Sequence, residues 1–160
     1  MKRNSHLLSS LSSFFLSLSL LFFSSSLLFF LSFQHVEAGL YSPGGAVKVL
    51  NSQEFKDRVV NSHDLFVVEF YADWCGHCQR FAPEYEKAAK ALRGLVQFVA
   101  VSDQAIMPEY NIRGFPTVKV FVGKGGKPPK MFDYNGPREA KDVVDFALTH
   151  ATKLAKARLA

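Results

Sequence analysis

The chain has only two cysteines, Cys75 and Cys78, and they stand close together with Gly76 and His77 between them. A secreted domain that relied on disulfides for stability would spread several cysteines along its length. A bridge closing so small a loop contributes only about 2 kcal/mol on chain-entropy grounds. Redox chemistry explains the pair better than stapling, although a buried structural bridge would share the spacing. Zinc fits poorly, because it needs four ligands and neither a second Cys-x-x-Cys nor paired histidines are present. Cys75 falls where an apolar run hands over to a helical pattern. Its sulfur would there face unpaired amide N–H groups and the positive end of a helix dipole, which favour the nucleophilic thiolate. Cys78, one helical step further in, is the expected resolving thiol. His77, when protonated, would add positive charge beside Cys75 and make the disulfide form a stronger oxidant. Glu69 is the lone charge in the apolar run 65–71. Burial would raise its pKa and let it accept and return a proton near neutral pH. The alternative is a strand acid paired with a lysine.

The surrounding pattern shows what must position these groups. Residues 47–50 read as a short strand, and Asn51 with Glu54 as a capping box opening a helix through about Val60. The run 65–71 is apolar on both faces, as in a central strand covered by helices. Phe81, Tyr85, Ala88, Ala89 and Leu92 recur at helical spacing over 80–93, Gly94 ends that helix, and 95–101 is a second buried strand. Strand, helix, strand, helix, strand argues for a sheet with a parallel core. A short helix over 105–110 follows, then a strand over 117–122, a turn, and an antiparallel edge strand over 131–134. The last helix is expected from Gly136-Pro137, with Val143, Val144, Phe146, Ala147 and Ala151 facing the sheet.

Three segments carry a resemblance: Val67-Val-Glu-Phe-Tyr-Ala-Asp-Trp-Cys-Gly-His-Cys78, Ala82-Pro-Glu-Tyr85 and Ile112-Arg-Gly-Phe-Pro-Thr117. In this order and spacing they resemble an active domain of the protein disulfide isomerase family, over roughly residues 47–150. The resemblance implies an α/β thioredoxin fold, a central mixed β-sheet flanked by helices. It implies that Cys75 and Cys78 form a redox-active disulfide and that neither metal nor organic cofactor is needed. It also implies that Glu69 serves Cys78 and that Pro116 is a cis proline packed against the dithiol. Arg138 matches an arginine that moves toward the site and favours the resolving thiolate. Trp74, Gly76, Phe115 and Pro116 would form the surface that receives substrate. Each has a plainer reading: a trans proline starting a strand, aromatic packing, a solvated arginine. The implied activity is thiol–disulfide exchange with cysteine-containing protein substrates, reset by an upstream thiol oxidase or by glutathione. A redox-silent chaperone-like module that holds unfolded polypeptide is the rival.

Three features depart from the family. Asp73 stands where proline is usual, and its carboxylate would oppose the Cys75 thiolate. The segment between Val101 and Arg113 is shorter, so the helix there must be trimmed. The chain ends Lys156-Ala-Arg-Leu-Ala160 with neither a second domain nor a retrieval signal, as in a truncated form or fragment.

Residues 1–38 combine a basic start at Lys2 and Arg3, an uncharged Leu, Phe and Ser run over 7–33, and Val36-Glu37-Ala38. This pattern reads as a secretory signal cleaved after Ala38, with an uncleaved membrane anchor as the alternative. Localisation in the endoplasmic reticulum lumen is the expectation. Residues 39–46 then read as a linker, 47–150 as one thioredoxin-like domain, and 151–160 as a basic helix end or tail. Nineteen basic against fourteen acidic residues give a net charge of +5. The excess is scattered apart from Lys153, Lys156 and Arg158, without the aromatic-laced basic stripe of a nucleic-acid binder.

Overall fold

Strand β2 (Leu65–Phe70) offers water no polar face, and all six of its residues are buried. Such a strand belongs in mid-sheet between two helical layers. The computed structural model describes residues 39–124 and 127–160. With β1 (Val47–Val49), β3 (Gln97–Val101), β4 (Thr117–Val122) and β5 (Lys130–Tyr134), β2 forms a five-stranded sheet in the order β1-β3-β2-β4-β5. Strands β1, β3 and β2 run parallel, while β4 is antiparallel to both β2 and β5. This is the mixed, helix-flanked sheet that the sequence implies. The expected signal or anchor lies outside the described residues. Among the described residues, no helix is long and apolar enough to cross a membrane.

Alternation along β2 sorts the core into two layers. Phe66, Val68 and Phe70 pack with Phe55, Val59, Tyr110 and Phe121. Val67 points the other way, into a cluster with Cys78, Phe81, Tyr85, Val143 and Ala147. Helix α1 (Ser52–Phe55) covers the first layer and opens on the expected capping box between Asn51 and Glu54. It continues over Lys56–Val60 as a wide π turn, closed by a 3.0 Å bond from the Asn61 N–H to the Lys56 carbonyl. The wide turn keeps Val59 as deeply buried as Phe55.

Helix α2 (Gly76–Ala91) and helix α3 (Ala140–Leu159) cover the second layer. The start of α2 lies four residues before the start expected at Arg80. Its first turn is the motif itself, which has no apolar periodicity to announce a helix. Pro83 sits inside α2 and removes the hydrogen bond that a backbone N–H there would give the Gln79 carbonyl. The short helix expected over 105–110 is two 3₁₀ turns, Gln104–Ile106 and Pro108–Tyr110, ending on Asn111 at φ 55°.

Both ends of the domain differ from the sequence reading. Tyr41, in the segment read as a linker, is a buried core residue that meets Tyr71 and Tyr85 edge to face. Burial of a large aromatic outweighs the Pro and Gly residues that follow it. The last helix begins at Ala140 rather than at Gly136-Pro137, and the Glu84 carboxylate of α2 accepts the Ala140 N–H at 2.9 Å. It runs on to Leu159, where Arg158 bonds the His63 carbonyl and pairs with Asp64 at 3.6 Å. The residues read as a basic helix end or tail are therefore helical and tied to the turn before β2.

The turn after β4 gives a stability test. A Cβ on Gly123 would lie 2.2 Å from the Ser62 carbonyl oxygen, whereas one on Gly114 would meet nothing within 4 Å. Gly123→Ala should cost about 1–3 kcal/mol and lower Tm by several degrees. Gly114→Ala should stay within about 0.5 kcal/mol of the parent. Thermal unfolding of both variants checks this, and equal Tm values would contradict it.

Candidate active site

Sheet register brings the site together. At the end of β2, Phe70 is opposite Val101 of β3 and opposite Thr117 of β4. Pro116, one residue before Thr117, is thereby set beside the segment that leaves β2. The Phe115–Pro116 peptide is cis. Cys75 is still extended, at φ −82° and ψ 110°, and its N–H bonds the Ala72 carbonyl at 3.0 Å before α2 begins. Its Sγ lies 3.6 Å from the Phe115 carbonyl oxygen. Cys78, in the first turn of α2, is sealed from solvent at 0% exposure, against 8% for Cys75. Both are free thiols.

The two sulfurs sit in opposed environments. Burial raises the Cys75 pKa, but more is taken off it by the Cys78 N–H and thiol, the His77 N–H and the Arg80 charge. The net shift is downward. Burial pushes the Cys78 thiol well up, and the proximity of Cys75 and Glu69 adds to the rise. The Arg80 charge lowers the Cys75 pKa, a contribution that the sequence reading did not assign to it. The His77 contribution comes through its backbone N–H, while its Nδ1 lies 3.0 Å from Arg80 Nη2. Asp73 has a backbone partner. Its Oδ1 accepts the Leu40 N–H at 3.2 Å, so this carboxylate anchors the segment that carries Tyr41.

Behind the dithiol, Glu69 is fully buried. Burial raises its pKa to about 7, against the lowering effect of a hydrogen bond from Tyr41 and the charge of Arg138. The Tyr41 hydroxyl donates to Oε2, and Oε1 is buried with no hydrogen-bond partner among the described residues. Pairing with a lysine is not what the structure contains. Lys119 is bonded to Asp133 across β4 and β5, with Val118, not Lys119, opposite Glu69. Arg138 is exposed yet anchored. Its Nη2 donates to the Pro116 carbonyl at 2.9 Å and its guanidinium lies 5.3 Å from the centroid of the Phe81 ring.

The rim around Cys75 is apolar on one side and cationic on the other. Trp74 is 74% exposed and meets Phe115 edge to face at 6.1 Å. They flank a shallow hollow of about 400 Å³ that opens on Cys75. A second hollow, of about 440 Å³, runs past Pro116 between Arg80 and Arg138. A Cβ on Gly76 would make only an ordinary 3.6 Å contact with Arg80, so the protein's own packing does not require glycine there. Among the described residues no cluster of three or more His, Cys, Asp or Glu side chains could hold a metal.

All nine residues expected at the site lie around this dithiol. Sequence reasoning missed two others. Arg80 gave no signal beyond its position two residues after Cys78. Tyr41 gave only an apolar Leu40-Tyr41 pair ahead of Ser-Pro-Gly-Gly.

Comparison with known proteins agrees with this geometry. The thioredoxin family model matches residues 46–149. Protein disulfide isomerase-like 2-3 of Oryza sativa subsp. japonica is 46% identical over 76% of this chain and 27% of that protein. The protein disulfide-isomerase A6 homolog of Caenorhabditis elegans is 44% identical, over 76% of this chain and 28% of that protein. The chain thus spans little more than a quarter of the curated relatives it matches. Solved structures of single domains match over most of their length. The Trx4 domain of ERdj5 is 32% identical with a TM-score of 0.61, covering 66% of this chain and 96% of that one. The first thioredoxin domain of mouse protein disulfide-isomerase A4 is 30% identical with a TM-score of 0.59, covering 75% and 86%. The chain therefore belongs to the thioredoxin family, and its likeness extends to the thioredoxin domains of protein disulfide isomerases.

Proposed function

We propose that this domain is a thiol–disulfide oxidoreductase of the protein disulfide isomerase type, acting on cysteine-containing proteins that fold in the secretory pathway. One observation carries the reading: a thiol with a lowered pKa at the opening of α2, with a solvent-sealed thiol one turn behind it. The secretory location rests on the signal-like pattern of residues 1–38.

The chemistry follows from the two environments. The Cys75 thiolate attacks one sulfur of a substrate disulfide. That S–S bond breaks, the second substrate sulfur leaves with the electron pair, and Cys75 is joined to substrate in a mixed disulfide. An ordinary thiol is only about 3% thiolate at pH 7, and burial leaves Cys78 with far less. Cys78 therefore needs a base, and Glu69, with a pKa of about 7, is poised to be one. Once its proton moves to Glu69, Cys78 attacks Cys75 Sγ and expels the substrate thiolate, leaving substrate reduced and the domain oxidised. Run backwards, the same steps oxidise a substrate dithiol, and a thiol oxidase or glutathione resets the pair. Trp74, Gly76, Phe115 and Pro116 receive the polypeptide at the rim.

Two sets of variants test this. Cys75→Ser should abolish exchange, while Cys78→Ser should accumulate mixed disulfides visible on non-reducing gels. Trapping by the Cys75 variant alone would reverse the assigned roles. If substrate polypeptide is held equally well but neither variant alters exchange, the domain is a chaperone module. Arg80→Met removes a cation from the thiolate and should raise the Cys75 pKa by less than about one unit. Thiol titration at low and high salt checks this, since salt should shrink a Coulombic difference.

A further inference from the structure

The groups around Glu69 are few. The segment before β1 contributes Tyr41, β2 leads into Tyr71, α2 contributes Cys78 and Tyr85, and Arg138 supplies charge from the approach to α3. Its sheet neighbours Ala100 and Val118 are apolar. Of these groups, only Tyr41 makes a hydrogen bond with the carboxylate through its side chain, and it takes Oε2 alone. The other oxygen, Oε1, is buried and has no hydrogen-bond partner among the described residues. A buried carboxylate oxygen without a donor is costly, and such an atom in a folded protein calls for an explanation. A proton-accepting role supplies one.

The Tyr41 hydroxyl is itself well placed. The ring is locked edge to face between Tyr71 and Tyr85, at 5.5 and 6.1 Å. The backbone before it is fixed by the Leu40 N–H on Asp73. Burial, followed by the charge of Glu69, drives the phenol pKa far upward, so Tyr41 keeps its proton and remains a donor.

We infer that Tyr41 is a positioning residue for the exchange reaction, its phenol clamping Oε2 of Glu69 so that Oε1 stays free to take the proton of Cys78. This rests on Glu69 acting as the base for Cys78. In the step concerned, the S–H bond of Cys78 breaks and its proton goes to Oε1. The sulfur's electron pair forms the bond to Cys75 Sγ, and the bond from Cys75 to substrate breaks with its pair on the substrate sulfur. Hydrogen bonds to the charged form of a carboxylate hold its pKa down. The Tyr41 donor therefore offsets part of the burial effect and keeps Glu69 able to ionise near neutral pH.

The test uses the reduced domain and an aromatic disulfide whose released thiolate is coloured. Attack by Cys75 releases one thiolate, and resolution by Cys78 releases the second, so the phases separate in a stopped-flow trace. Tyr41→Phe keeps the ring and loses the donor. It should move the pH midpoint of the second phase up by roughly one unit and slow that phase up to about tenfold below neutral pH. The first phase should be unchanged. Incorporating 3-fluorotyrosine at position 41 makes a stronger donor in the same shape and should move the midpoint down. Glu69→Gln in the same assay should abolish the midpoint. If Glu69→Gln does so while both Tyr41 replacements leave the midpoint in place, Tyr41 is packing and the proposal is overturned. If Glu69→Gln leaves the second phase untouched, the base assignment itself fails. A lower Tm with no movement of the midpoint would also overturn the proposal, because a merely structural tyrosine would do that.

Discussion

Everything at this site depends on one strand being bonded on both edges. β2 carries a parallel partner on one side and an antiparallel partner on the other, and both registers reach its last residue. Slipping either ladder by one residue would turn the alternating core positions of β2 inside out. The backbone ladder across the sheet therefore sets Pro116 beside the segment that leads to Cys75. A reactive sulfur held at a strand-to-helix junction needs such a rigid frame. The full burial of β2 supplies it.

The same burial makes Glu69 a compromise. An acid in a dry core resists ionisation, and its stability cost appears at the pH where the unfolded chain would already be charged. With a folded pKa raised to about 7, the contribution of Glu69 to stability is greatest below the ordinary glutamate range and falls as pH rises toward neutrality. An uncharged residue of similar size would avoid that loss. Retaining the acid makes sense where a proton must be moved between a sealed thiol and its partner, and Cys78 is such a thiol. Arg138 tempers the cost from a distance without neutralising the group, being held by the Pro116 carbonyl and the face of Phe81.

The parallel core of the sheet and the dithiol spacing were legible because their signals are local or periodic. Unbroken apolar residues announce β2, Asn51 and Glu54 announce a cap, and the Cys75, Cys78 spacing announces chemistry. What was hidden depends on tertiary placement. Helix α2 starts where no apolar period exists, since its first turn faces the site rather than the core. Tyr41 sits among turn-forming residues, and only the fold brings it to Glu69. Arg80, one helical turn on from His77, adds a charge that lowers the Cys75 pKa, and residue order alone did not single it out. Asp73 also anchors a backbone N–H, a contact that only the fold brings about. Side-chain direction decided each of these cases, and residue order does not encode it.

The exposed ring beside Cys75 has an optical consequence. Trp74 is the only tryptophan in the chain, so all indole emission of the protein comes from the residue preceding the nucleophilic sulfur. Indole excited states are quenched by nearby disulfides more strongly than by thiols. Under the proposed function, formation of a Cys75–Cys78 disulfide would dim this single indole, a readout of the dithiol that needs no label.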